Sequence, residues 1–178
     1  EMTGKDRNIT LVGMPASGKS TVGVLLAKRL GFSFVDVDIV IQEREKRLLK
    51  EIIAQEELDG FMAVENRINA SLDVDRSVIA PGGSVIYGKE AMEHLGRIGT
   101  LVYLKLSCPA VEERLGDLNE RGVAVREGQT LRDLYEERIP YYEKYARIVI
   151  DCENKMIKDI AAEIISAAAA REQEDRHQ

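Results

Sequence analysis

"LVGMPASGKSTVG", residues 11–23, carries the pattern GxxxxGK[ST] from Gly13 to Ser20. The apolar run "NITLVG" (8–13) before it reads as a buried strand, and "STVGVLLAKRLG" (20–31) after it reads as a helix closed by glycine. Strand, glycine-rich turn and helix in that order frame a phosphate-binding loop. Glycines let the backbone curl so that successive N–H groups converge on a phosphate, and the helix N-terminus adds its positive end there. Gly13, Ala16, Ser17, Gly18, Lys19, Ser20 and Thr21 are therefore expected to hold a nucleoside triphosphate. Lys19 is placed to reach the β- and γ-phosphates and the Ser20 hydroxyl to ligate Mg²⁺, making ATP and Mg²⁺ the expected cofactors.

Outward from the loop, strand-like and helical patterns alternate. "FSFVDVD" (32–38) alternates like a strand ending in two carboxylates, and a charged helical stretch runs to about residue 72. "RSVIAPGG" (76–83) reads as a short strand breaking into a turn, and "TLVYLKL" (100–106) as another strand. A helix is expected over 109–118, a loop over 119–129, a helix over 130–146, a strand over 147–151 and a last helix over 155–170. The tail "AAAAREQEDRHQ" (167–178) reads as a helix end running into a frayed terminus. Such alternation implies a parallel sheet with helices on both faces.

Composition narrows the function. The 178 residues carry a formal charge of −6, which argues against a nucleic-acid surface. Two histidines cannot build a histidine metal cluster, and Cys108 and Cys152, far apart in sequence, read as reduced structural thiols. No stretch approaches the ~20 apolar residues of a membrane span and no signal-peptide pattern opens the chain, so a cytoplasmic protein without a membrane partner is expected. A GTPase needs an NKxD clamp, and "NKMIKD" (154–159) lacks the aspartate at its fourth position. Small-metabolite kinases fit the length.

On the acceptor side, a strand's period of two puts Asp36 and Asp38 on one face, at the end of a strand where open parallel sheets bind ligands. Paired carboxylates beside a triphosphate can hold the Mg²⁺ water shell and accept a proton from an attacking hydroxyl. Asp38 could equally cap a helix.

The phosphate loop, the Asp36–Asp38 pair, "FMAVE" (61–65), "APGGSV" (80–85), Arg121 and "ERIPYYEKYA" (137–146) stand in the order and spacing of shikimate kinases. The chain resembles that family over nearly its whole length. The resemblance implies a phosphate-loop NTPase-type three-layer αβα sandwich with a five-stranded parallel sheet, similar to nucleoside monophosphate kinases. It would be one kinase domain over 1–178, with an acceptor-binding helical segment at about 39–72, a lid at about 119–129, and a monomeric or weakly dimeric state. It also implies roles. Asp36 would stand by the Mg²⁺ shell, and Asp38 would bond the acceptor hydroxyl and take its proton. Gly82 and Gly83 would offer N–H groups to the acceptor, and Arg114 would lie on the adenine face. Arg121 would close over the transferring phosphate, and Arg138 would pair with the acceptor's carboxylate.

Three departures stand out. The family's FRxxE becomes Phe61-Met62-Ala63-Val64-Glu65, removing an arginine that anchors the shikimate carboxylate. Its GGG run becomes Pro81-Gly82-Gly83, and the lid's RPLL becomes Arg121-Gly122-Val123-Ala124. Met62 matters most, because a charge-assisted hydrogen bond is worth about 1.5–3 kcal/mol. It leaves Glu65 without its cation, and Arg67, five residues on, points elsewhere on a helix. Two acceptor readings follow: shikimate, held largely by Arg138, or a hydroxylated amino acid of homoserine or threonine type whose ammonium faces Glu65. A non-catalytic ATP-binding module and a nucleoside monophosphate kinase are further readings. The first is disfavoured because Lys19, Ser20, Asp36, Asp38 and Arg121 are all present, the second because residues 39–75 offer only Arg44, Arg47 and Arg67.

Overall fold

The central strand β1 (Asn8–Val12) is buried along its whole length, its polar Asn8 and Thr10 included, as the middle strand of a sheet covered on both faces must be. In this computed structural model, which describes residues 8–116 and 123–178, β1 pairs in parallel with β3 (Ser77–Ala80) on one side and β4 (Gly99–Lys105) on the other. Strands β2 (Ser33–Asp36) and β5 (Ile148–Asp151) complete an all-parallel sheet of order β2-β3-β1-β4-β5. The order turns about β1, so its carboxyl end opens into the crevice where such sheets take ligands.

One polar residue sets the register at the other end. The Asn8 amide donates to the Val74 and Ile98 carbonyls at 3.0 and 2.9 Å and its oxygen accepts from the Ser77 N–H at 3.0 Å. A side chain on Gly99 would collide with the Asn8 backbone, so β4 can begin beside β1 only with glycine there.

Helix α1 (Lys19–Leu30) follows the phosphate loop and ends on Gly31 at φ 70°, as the sequence pattern implies. Gly23 presses α1 onto β2, since a Cβ there would come within 2.6 Å of the Phe34 ring. The expected strand ending in two carboxylates is shorter: β2 stops at Asp36, and Asp38 lies in the first turn of α2 (Val37–Glu45). The Asp36 side chain caps α2 by accepting from the Asp38 N–H at 3.0 Å. The period-of-two argument therefore fails, and a helix turn sets the two carboxylates instead.

The charged stretch continues as α3 (Leu49–Ala70), broken at Glu57, whose φ of 61° and ψ of −179° are not helical. A 3₁₀ turn (Gly83–Tyr87) and the amphipathic α4 (Lys89–Ile98), which the sequence pass left unassigned, lead into β4. Helix α5 (Cys108–Leu115) is capped by Ser107, and α6 (Leu131–Tyr145) opens with a Thr130–Asp133 capping box. The final helix α7 (Ile157–Arg176) runs through most of the tail expected to fray. Arg171 on α7 donates to the Arg147 carbonyl at 3.0 Å. Cys108 and Cys152 are free and buried. Among the described residues no helix is long and apolar enough to cross a membrane.

Candidate active site

Two left-handed residues, Ala16 (φ 63°) and Gly18 (φ 96°), flank Ser17 in the loop after β1. This alternation makes a backbone concavity of the kind that binds anions. Gly13 (φ 155°) also needs its missing side chain, for a Cβ would lie 2.9 Å from the Leu104 carbonyl oxygen. Lys19 folds back over the loop and donates to the Gly13 and Met14 carbonyls, each at 2.9 Å. Burial pulls its pKa down to about 8, with Asp38 opposing that fall and Arg138 adding to it.

A cavity of about 340 Å³ joins this loop to the far wall of the crevice. Ala16, Gly18, Lys19, Ser20 and Thr21 line one side of it, and Asp36, Asp38, Glu65, Gly82, Gly83 and Arg138 line the rest. Gly13 and Ser17 are buried behind the loop rather than on the cavity wall. Met62, half-buried on α3, is not among the residues that line the cavity. Arg114 is exposed, with a guanidinium nitrogen 3.5 Å from the Ala16 carbonyl on the outer side of the loop. Arg121 lies outside the described residues.

Gly82 is the close contact of the acceptor wall. A Cβ there would sit 2.9 Å from Glu65 Oε2 and 3.2 Å from Asp38 Oδ1. Glycine lets the loop pass close to two carboxylates whose ends a side chain there would have to displace. The next residue, Gly83, makes room for Arg138, whose Nη1 would be 2.7 Å from its Cβ. Tyr142 donates to the Gly83 carbonyl at 2.8 Å and stacks on Tyr103, which ties this loop to α6 and β4.

Arg138 is only 1% exposed. Its Nη2 donates to the Ala124 carbonyl at 3.1 Å, its Cζ lies 5.7 Å from the Tyr87 ring centroid, and its Nε has no hydrogen-bond partner. Glu65 is 2% exposed; its Oε1 accepts from the Ser84 hydroxyl at 2.6 Å, and its Oε2 has no partner. Burial pushes the Glu65 pKa up to about 7, with Asp38 adding to the rise and the Ser84 bond and Arg138 opposing it. Asp38 is raised to about 6, by burial first and then by Asp36, against the pull of Lys19. Arg67 turns away from Glu65: its side chain is 63% exposed and reaches Glu45 at 3.5 Å. In sequence, Ala124 stands out only as a lid departure, Ser84 and Tyr142 only as members of longer motifs and Tyr87 not at all, because their contacts depend on the loop they meet.

These contacts bring a phosphate loop, three carboxylates and a buried arginine into one crevice. A family model described as shikimate kinase matches residues 15–169. The shikimate kinase of Thermodesulfovibrio yellowstonii is 35% identical over 162 residues, covering 89% of this chain and 93% of that protein. That of Persephonella marina is 36% identical over 160 residues, covering 89% and 97%. The structure of shikimate kinase from Acinetobacter baumannii in complex with shikimate superposes with a TM-score of 0.84 at 30% identity, covering 93% of this chain and 94% of that one. A gluconokinase from Sinorhizobium meliloti shares the fold at a TM-score of 0.56 and 18% identity. By its family match and its relatives alike, this chain belongs to the shikimate kinase family, whose members are ATP-dependent kinases of small-molecule alcohols.

Proposed function

We propose that this chain transfers the γ-phosphoryl group of ATP to a hydroxyl of shikimate. The observation that carries the reading is the single cavity in which Lys19, Asp38 and Arg138 converge. Phosphoryl transfer asks the protein for little covalent chemistry, so positioning and charge do the work. Residues 13–20 cradle the phosphates with main-chain amides. Lys19, released from its two carbonyls, follows the charge that develops on the transferring group. Asp38 accepts the proton of the attacking hydroxyl; a carboxylate with a raised pKa suits that task. Arg138 lines the cavity and turns its guanidinium charge to the acceptor's carboxylate.

A magnesium ion fits this wall. Ser20 and Asp36 both border the cavity with hard oxygen donors, and the Asp36 oxygen that caps α2 leaves its other oxygen available. When bound with the nucleotide, the ion supplies positive charge to the phosphate oxygens. Arg114 beside the loop supplies the adenine face.

The test is acceptor-stimulated ADP release. Shikimate added to enzyme, ATP and Mg²⁺ should raise ADP production well above the rate without acceptor. An unchanged rate would reject the reading.

A further inference from the structure

Glu65 is a buried carboxylate without a cation. Among the described residues nothing positively charged lies within ion-pair distance of it, Arg67 is committed to Glu45, and Met62 on the same helix has no donor to offer. Glu65 lines the cavity, and its Oε2, unpaired and shielded from solvent, lies against Gly82. The groups around it are Ser84 from the 3₁₀ turn, Asp38 from α2, and Arg138 and Tyr142 from α6. Leaving such a group charged and unpaired is costly, and among the described residues no side chain pairs with it, so a cationic ligand group would relieve that cost.

The geometry specifies that ligand. Glu65 Oε2 and Asp38 Oδ1 both approach the Cβ position of Gly82, so they are no more than about 6 Å apart. Arg138 Nη1 lies against the adjoining Gly83. A cation acceptor, a hydroxyl acceptor and a guanidinium thus meet around two consecutive residues. An α-amino acid carries its ammonium and carboxylate on one carbon, with a side-chain hydroxyl one to two carbons further on.

We infer that this pocket also phosphorylates a second class of acceptor, small hydroxylated α-amino acids, with the ammonium on Glu65, the carboxylate on Arg138 and the hydroxyl on Asp38. The inference rests on the proposed phosphoryl transfer at this site. The hydroxyl oxygen forms a bond to the γ-phosphorus as the bond to the β,γ-bridging oxygen breaks. ADP leaves with that electron pair, and the hydroxyl proton passes to Asp38 and then to solvent. The products are ADP, a phosphate monoester of the amino acid and a proton.

The experiment measures ADP release by the full chain with ATP and, separately, shikimate, homoserine, threonine and 4-hydroxybutyrate, which is homoserine without its ammonium. The expected result is turnover of homoserine or threonine, with kcat/KM for homoserine at least about tenfold above that for 4-hydroxybutyrate, as a charge-assisted contact requires. In Glu65→Gln that ratio should shrink to within about threefold, since the variant keeps a polar group but loses the charge. The wild-type comparison stands even if the variant does not fold. Shikimate turnover with no turnover of either amino acid overturns the inference and leaves the proposed function intact. So does a shikimate KM that climbs as pH rises through about 7, without amino-acid turnover, for Glu65 then serves as a neutral acid. Amino-acid turnover without shikimate turnover overturns the choice of shikimate and keeps the inference.

Discussion

Asp38 shares its cavity with Lys19 of the phosphate loop, yet its replacement should spare nucleotide binding. Asp38→Asn keeps the shape of the wall and removes the proton acceptor, so kcat should fall by roughly 10²–10⁴-fold while the ATP dissociation constant changes little. Steady-state rates beside a nucleotide-binding titration check this, and undiminished turnover would remove Asp38 from the chemistry. Met62→Arg should work the other way. An arginine next to Glu65 on α3 would give that carboxylate its missing cation and extend a second donor toward the acceptor. The shikimate KM should drop by about tenfold. Selection for an ammonium-bearing acceptor should weaken at the same time, because Glu65 would already be paired. A Met62→Leu control should change neither constant.

The helices of the acceptor wall carry visible strain. Glu57 breaks α3 at φ 61° and ψ −179°, a region that only glycine enters freely, at a cost on the order of 1–3 kcal/mol. The break separates Leu49 from Phe61 and Glu65, all of which border the cavity. Glu57→Gly should therefore stabilise the protein by about 1 kcal/mol after the added flexibility of the unfolded chain is subtracted. In a chain of this size that raises Tm by about 2–4 °C, and a lowered Tm would mean that the backbone there is not strained. At the same scale the second strand misled the sequence reading for a physical reason. Val35 and Val37 are β-branched and alternate with Asp36 and Asp38, so "FSFVDVD" (32–38) reads as a strand although α2 begins at Val37. The Asp36 cap was the competing local signal, and it prevails. Helix α4 was missed although Ala91, Met92 and Leu95 mark its buried face, because the glycines at its two ends read as loop.

For the molecule as a whole, the phosphate loop and the strand–helix alternation were enough to reach a parallel five-stranded sheet, since each depends on local period and turn chemistry. The acceptor wall was legible only as a set of separate residues. Gly82 meets both Glu65 and Asp38 because β3 lies next to β1 and β2 in the sheet, and no local pattern states that order. Folding also leaves a pH signature. The Glu65 pKa is about 7 in the folded chain against an ordinary value of 4.5, so the folded state binds more protons between those values. Its contribution to stability is thus full below about pH 4.5 and declines as pH rises through 7. Glu65→Gln should raise Tm by a few degrees at pH 8 and much less at pH 5, and an equal shift at both pH values would contradict a buried, unpaired acid. The central claim, that one cavity hands a phosphoryl group directly from the loop of residues 13–20 to an alcohol across the crevice, is tested most directly by ³¹P NMR of the protein with ATP, Mg²⁺ and shikimate. The account predicts a new phosphate monoester signal growing in step with ADP. ADP accompanied by inorganic phosphate alone would contradict it.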